Sequence, residues 1–174
     1  MKREINLWEY AGTILEQTGK AALLTAKANG RVNSMVIGWG TLGIEWGKPI
    51  YTVFVRESRF TKQLLDENPE FTVNIPLNGM DPEILSVCGR ESGKDVDKVS
   101  KLGLTLEQPL TGSVPGIRQV PLTLECKVIY RQDQDPAAIA PENDQRYYAK
   151  GTANENDYHT AYYGQVMAAY IIEP

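Results

Sequence analysis

Arg56, Ser58, Arg59 and Thr61 bring two guanidinium groups and two hydroxyls to the point where a β-like run passes into a helical pattern. Such a place suits an anion. The first N–H groups of a helix lack partners within it, and the positive end of its dipole points the same way. A phosphate ester accepts several charge-assisted hydrogen bonds, which this set can supply. Upstream, Asn33, Ser34 and Met35 lead into Gly38-Trp39-Gly40-Thr41, where glycines flank an aromatic face and a flat group could approach the backbone. A phosphate end and a flat platform suggest a nucleotide-like ligand. On local spacing alone, a plain helix cap and a plain strand remain open.

Other chemistries lack their residues. His159 is the one histidine, and Cys88 and Cys126 lie far apart, so neither a disulfide framework nor a zinc cluster is expected. No E-x-x-H or D-x-D-x-D-G spacing offers a metal site, and no G-x-S-x-G or Walker A loop appears. The expectation is no metal, with any catalysis carried by a bound organic cofactor. Cys126 alternates with apolar neighbours and reads as a small buried hydrophobe. Cys88 ends an apolar helical pattern before Gly89, where packing is the expected role. The net charge of −4 and pI of about 5.1 argue against a nucleic-acid surface. No apolar run approaches the roughly 18 residues of a membrane span, and MKREINLWEY lacks a signal peptide's apolar core. The cytoplasm is the expected location, with no membrane partner.

The elements that must position these residues follow in order. Leu7, Tyr10, Ala11, Ile14, Leu15 and Thr18 fall at helical spacing before Gly19. Ala21–Ala26 reads as a buried strand, and Asn29-Gly30 turns it into Val32–Thr41. A Gly/Trp-rich connection closed by Gly47-Lys48-Pro49 leads to the strand Ile50–Val55. Phe60–Asn68 is predicted as a helix, Phe71–Ile75 as a strand, and Glu83–Cys88 as a helix capped by Asp81-Pro82. A helix over Lys94–Leu102 and the run Leu104–Leu106 come before Pro121–Arg131, whose alternation marks a half-buried strand. Asp133–Pro141 reads as loop and Asn143–Lys150 as a short helix. Thr160–Ile172 is a long strand placing Tyr162, Gly164, Val166, Ala168, Tyr170 and Ile172 on one face. About six strands with short helices imply a single domain over residues 1–174, mainly β, with an antiparallel sheet closed into a barrel. Regular β-α-β alternation and G-x-G-x-x-G are missing, which argues against a Rossmann domain.

In this order, N-S-M-V-I-G-W-G-T, W-x-K-P, V-R-E-S-R-F-T, C-G-R-E-S-G-K-D and H-T-A-Y-Y-G resemble the flavin reductase-like family with an FMN-binding split β-barrel, and within it the flavoredoxin-type branch. The resemblance runs from the first hairpin to the last strand. It implies a homodimer that binds FMN and exchanges electrons with NAD(P)H or a redox protein. Asn33, Ser34 and Met35 would border the flavin ring, with Trp39, Gly40 and Thr41 beside it. Arg56, Ser58, Arg59 and Thr61 would hold the phosphate. Cys88, Gly89, Ser92, Gly93 and Lys94 would form a loop over the ribityl chain or phosphate. His159 would face the flavin or an incoming nicotinamide, as the catalytic candidate; as a lone histidine it can equally be a loop residue. The implied activity is that of an FMN-dependent reductase, with an electron carrier or a non-redox binding barrel as rivals.

Overall fold

The computed structural model describes residues 1–174. Ten strands form in chain order with five α-helices between them: β1 Lys2–Glu4, α1 Ala11–Lys20, β2 Ala22–Ala28, β3 Arg31–Ile37, β4 Gly40–Glu45, β5 Lys48–Arg56, α2 Phe60–Glu67, β6 Glu70–Ile75, α3 Pro82–Arg90, α4 Lys98–Leu102, β7 Leu106–Glu107, β8 Gly116–Ile117, β9 Leu122–Asp133, α5 Pro141–Tyr147 and β10 His159–Ile172. The main sheet runs β3-β2-β6-β9-β10-β5-β4, every pair antiparallel, with β1 laid against β10. Its two outermost strands, β3 and β4, are consecutive in sequence yet do not pair. The barrel is therefore split at that seam rather than closed by a ladder.

The seam is where the expected strand Val32–Thr41 breaks. After Ile37 the chain leaves one edge of the sheet, crosses through Gly38 and Trp39, and re-enters at the opposite edge as β4. β4 was hidden in the segment expected to be a connection. It returns into β5 through Trp46-Gly47, both at positive φ (52° and 67°), the two-residue geometry that follows the twist of a hairpin. Tyr51 explains Gly40: a Cβ there would lie 2.6 Å from the Tyr51 hydroxyl, which also bonds Thr18 of α1 at 2.6 Å.

The interior is filled from both ends. Leu24, Val53, Phe71, Val73, Leu124 and Tyr162 meet Ile14 of α1 and Leu64 and Leu65 of α2 in one buried cluster. Cys126 is in it, as its alternation predicts. A smaller cluster of Leu23, Ile84, Cys88, Leu104, Ile117 and Val120 seals α3 against the outer face of β2. The single face assigned to Thr160–Ile172 does not survive. A β-bulge between Val166 and Ala168 adds a residue, so Tyr162 and Val166 face inward while further along Ala169 and Ile171 pair with Leu124 and Leu122. An extra residue in a strand exchanges its faces, which strict alternation cannot anticipate. The helix expected over Lys94–Leu102 starts only at Lys98, because the Asp97 carboxylate caps it by accepting from Ser100 N at 3.1 Å.

Candidate functional site

Three adjoining cavities follow the seam. The first, of about 180 Å³, lies between β3, the start of α2 and the α3–α4 connection. The second, about 170 Å³, shares Met35, Val36 and Arg59 with it and extends to Trp39, Arg56 and His159. The third, about 410 Å³, continues over Gly38, Trp39, Gly40, Thr41 and Phe54 toward α1.

Most of the expected residues gather here. Asn33, Met35, Ser58, Arg59, Thr61, Cys88, Gly89, Ser92 and Gly93 all line the first cavity. Asn33 and Thr61 are buried and joined, Asn33 Nδ2 donating to Thr61 Oγ1 at 2.9 Å. Gly93 lies hard against that pair: a Cβ there would overlap Asn33 Oδ1 and lie 2.8 Å from Phe60 Cδ1. Arg31 fastens the same turn, donating to the Gly93 carbonyl at 2.6 Å with its guanidinium 4.5 Å over the Phe60 ring. Arg59 stands at the N-cap of α2, exposed and without a protein partner.

Other expected side chains point away from the first cavity or are already engaged. The Ser34 hydroxyl turns away into the sheet, paired with Thr25 Oγ1 at 2.8 Å. Arg56 lines the second cavity rather than the first, donating to the Asp157 carbonyl at 2.6 Å and lying over the Tyr148 ring. Ser58 already holds a carboxylate: its amide and hydroxyl donate to Asp157 at 3.0 and 2.6 Å. Lys94 points to solvent and lines none of the three cavities, since helix α4 begins four residues later.

Lys98 takes the place expected of Lys94, and sequence reasoning missed it. It is only 3 % exposed, on the wall of the first cavity, with Nζ donating to the carbonyls of Ser34 at 3.0 Å and Cys88 at 3.3 Å. No carboxylate pairs with it, and burial pushes its pKa down. In the helix expected over Lys94–Leu102 both lysines share the face of Leu102, so spacing alone does not separate them. Cys88 sits beside it, 2 % exposed, its thiol pushed up by burial. That supports packing over thiol chemistry.

His159 is a buried residue at the head of β10, directly opposite Arg56 of β5 in the ladder. Its ring lies 5.1 Å from Trp39 and its Nδ1 is 2.7 Å from the Tyr148 hydroxyl. Burial, then the Arg56 charge, lowers its pKa to about 4, so the imidazole is neutral at neutral pH.

The fold is thus a split antiparallel barrel whose seam carries a cationic, hydroxyl-lined cavity at one end and an aromatic platform at the other. The chain belongs to the flavin reductase like domain family, whose pattern it matches over residues 17–174. Among solved structures, it superposes on a flavoredoxin from Methanosarcina acetivorans with a TM-score of 0.65 and 27 % identity, covering 88 % of this chain and 68 % of that one. An FMN-binding domain of a flavin reductases-like enzyme from Shewanella baltica gives 0.67 at 19 % identity, covering 99 % and 78 %. An NADH:FAD oxidoreductase from Streptomyces globisporus gives 0.60 at 16 %, covering 86 % and 72 %; these two speak to the fold alone. An uncharacterized protein of Archaeoglobus fulgidus is 30 % identical over 97 residues, a match spanning 56 % of this chain and 54 % of its relative. No helix is long and apolar enough to cross a membrane.

Proposed function

We propose that residues 1–174 form one FMN-binding oxidoreductase domain that passes hydride or electrons between NAD(P)H and the flavin or a downstream acceptor. The observation that carries this reading is the continuity of the seam cavities, from an unpartnered Arg59 and a buried, carboxylate-free Lys98 to the Trp39–His159 end. The donor set fits a phosphate ester. Lys98, Arg59, the free N–H groups of α2 and Thr61 would hold the phosphate, and Asn33 and Met35 would border the ring system. When bound, the flavin supplies the hydride and electron chemistry. The protein's own part is to position and to exclude water. Trp39 and Met35 offer apolar surface, and neutral His159 with Arg56 offers polar groups to whatever lies over the second cavity.

An electron carrier serving a protein partner is the second reading, favoured by the likeness to the Methanosarcina flavoredoxin. A homodimer is part of the proposal. Ile44 is 71 % and Trp46 60 % exposed, and Trp46 continues into Tyr130 and Tyr163, with ring centroids 6.2 and 5.1 Å apart. Large exposed aromatics of this kind favour an interface. An absorption spectrum of the purified protein, followed by anaerobic addition of NADH or NADPH, tests the reading. A yellow protein bleached by either supports a reductase; a yellow protein that neither bleaches supports the carrier. A colourless protein that also fails to take up FMN refutes both.

A further inference from the structure

The position of one proton follows from three hydrogen bonds. Gln134 Oε1 accepts from the backbone N–H of His159 at 3.0 Å. Since a backbone amide can only donate, the atom facing it must be the amide oxygen, and the orientation of Gln134 is settled. The Tyr148 hydroxyl lies 3.0 Å from that same oxygen, so its single proton must be given there. That leaves the Tyr148 oxygen as an acceptor toward His159 Nδ1, 2.7 Å away. In the neutral ring Nδ1 therefore carries the hydrogen, and Nε2 keeps its lone pair. Trp39, 5.1 Å from the imidazole, restrains the ring in this setting.

We infer that Tyr148 and Gln134 are positioning residues that hold His159 as a hydrogen-bond acceptor at Nε2, and that His159 and Arg56 together recognise an amide edge, an N–H beside a C=O. Arg56 is the cross-strand partner of His159, so the two side chains leave the sheet on the same face, and both line the second cavity. One of its N–H groups goes to the Asp157 carbonyl, leaving the rest of the fork for an acceptor. Acceptor beside donor complements donor beside acceptor. The inference rests on the flavin reading above, within which two groups have this edge: the pyrimidine side of a flavin and the carboxamide of a nicotinamide.

The chain has one histidine, so a long-range 1H–15N correlation spectrum of uniformly labelled protein shows a single imidazole. At neutral pH the expected result is a protonated Nδ1 and a bare Nε2; a protonated Nε2 in the wild type overturns the inference without any variant. Tyr148→Phe removes the acceptor and is expected to move hydrogen onto Nε2, with circular dichroism checking the fold. Riboflavin and reduced nicotinamide mononucleotide, titrated separately, then distinguish the two sources. The one bearing the recognised edge shifts the Nε2 resonance and binds Tyr148→Phe about three- to tenfold more weakly. Both ligands binding while Nε2 stays unmoved refutes the amide-edge pairing alone. Riboflavin failing to bind refutes the flavin reading and the pairing with it, while the wild-type spectrum still decides the tautomer.

Discussion

Replacing Lys98 with methionine isolates a buried charge. The ammonium has three hydrogens, and two are spent on the carbonyls of Ser34 and Cys88 at 3.0 and 3.3 Å. The third remains for the cavity whose wall Lys98 forms. With no carboxylate bonded to it and its pKa lowered by burial, the cation is held at a cost that an incoming anion would relieve. Losing one charge-assisted hydrogen bond is worth about 1.5–3 kcal/mol. That corresponds to roughly a 10- to 150-fold weaker Kd. Methionine preserves most of the stem, so a ligand without phosphate should lose little. Fluorescence titrations with FMN and with riboflavin read the difference, and Arg59→Ala beside it should show the same preference with a smaller, salt-dependent loss. Equal weakening of both flavins by Lys98→Met would place the lysine away from the phosphate and make it a structural cation.

Three further outcomes are expected. His159 has a folded pKa of about 4 against 6.5 unfolded, so the unfolded chain binds more protons between those values and stability falls as pH drops through that window. The full shift corresponds to about 3 kcal/mol, nearer 2 with solvent screening at the open cavity, and urea titrations of His159→Gln should lack this slope. Gly93→Ala should cost about 1–3 kcal/mol in urea unfolding, because the new methyl group must displace Asn33 and break its bond to Thr61; an unchanged midpoint would mean the turn relaxes freely. Light scattering should give a dimer that Trp46→Ser with Ile44→Asp converts to monomer, whereas a monomeric wild type at micromolar concentration would remove the dimer from the proposal.

The parts legible in the sequence are those written in local chemistry. Asn29-Gly30 marks its hairpin, Asp81-Pro82 its helix start, and Ala21–Ala26 its buried strand, because turn type, cap and apolar run each depend on neighbouring residues. Arg59 and Thr61 were marked by their place at a helix start, with a plain cap still open, while Asn33 and the loop from Cys88 to Gly93 entered only through the family resemblance. What escaped depends on distant partners. β4 looks like a connection until β5 lies beside it, and the bulge near Met167 is visible only against β9. Lys98 could not be told from Lys94 without knowing where Asp97 caps α4. Tyr148 and Gln134 carry no signal at all, since they reach His159 from a segment that read as loop and short helix.

Arg56 and His159 occupy facing rungs of β5 and β10, whereas Asp157 and Tyr148, which bond them, come from the connection over residues 135–158. Connections can lengthen, shorten or change composition without altering a ladder's register. The ladder thus keeps the two polar groups at one spacing, while Tyr148 and Asp157 set how each is presented. The division makes the barrel a fixed instrument with interchangeable apertures. Reshaping the 135–158 connection while keeping Tyr148 and Asp157 is accordingly the way to alter what reaches the pair without altering the pair itself.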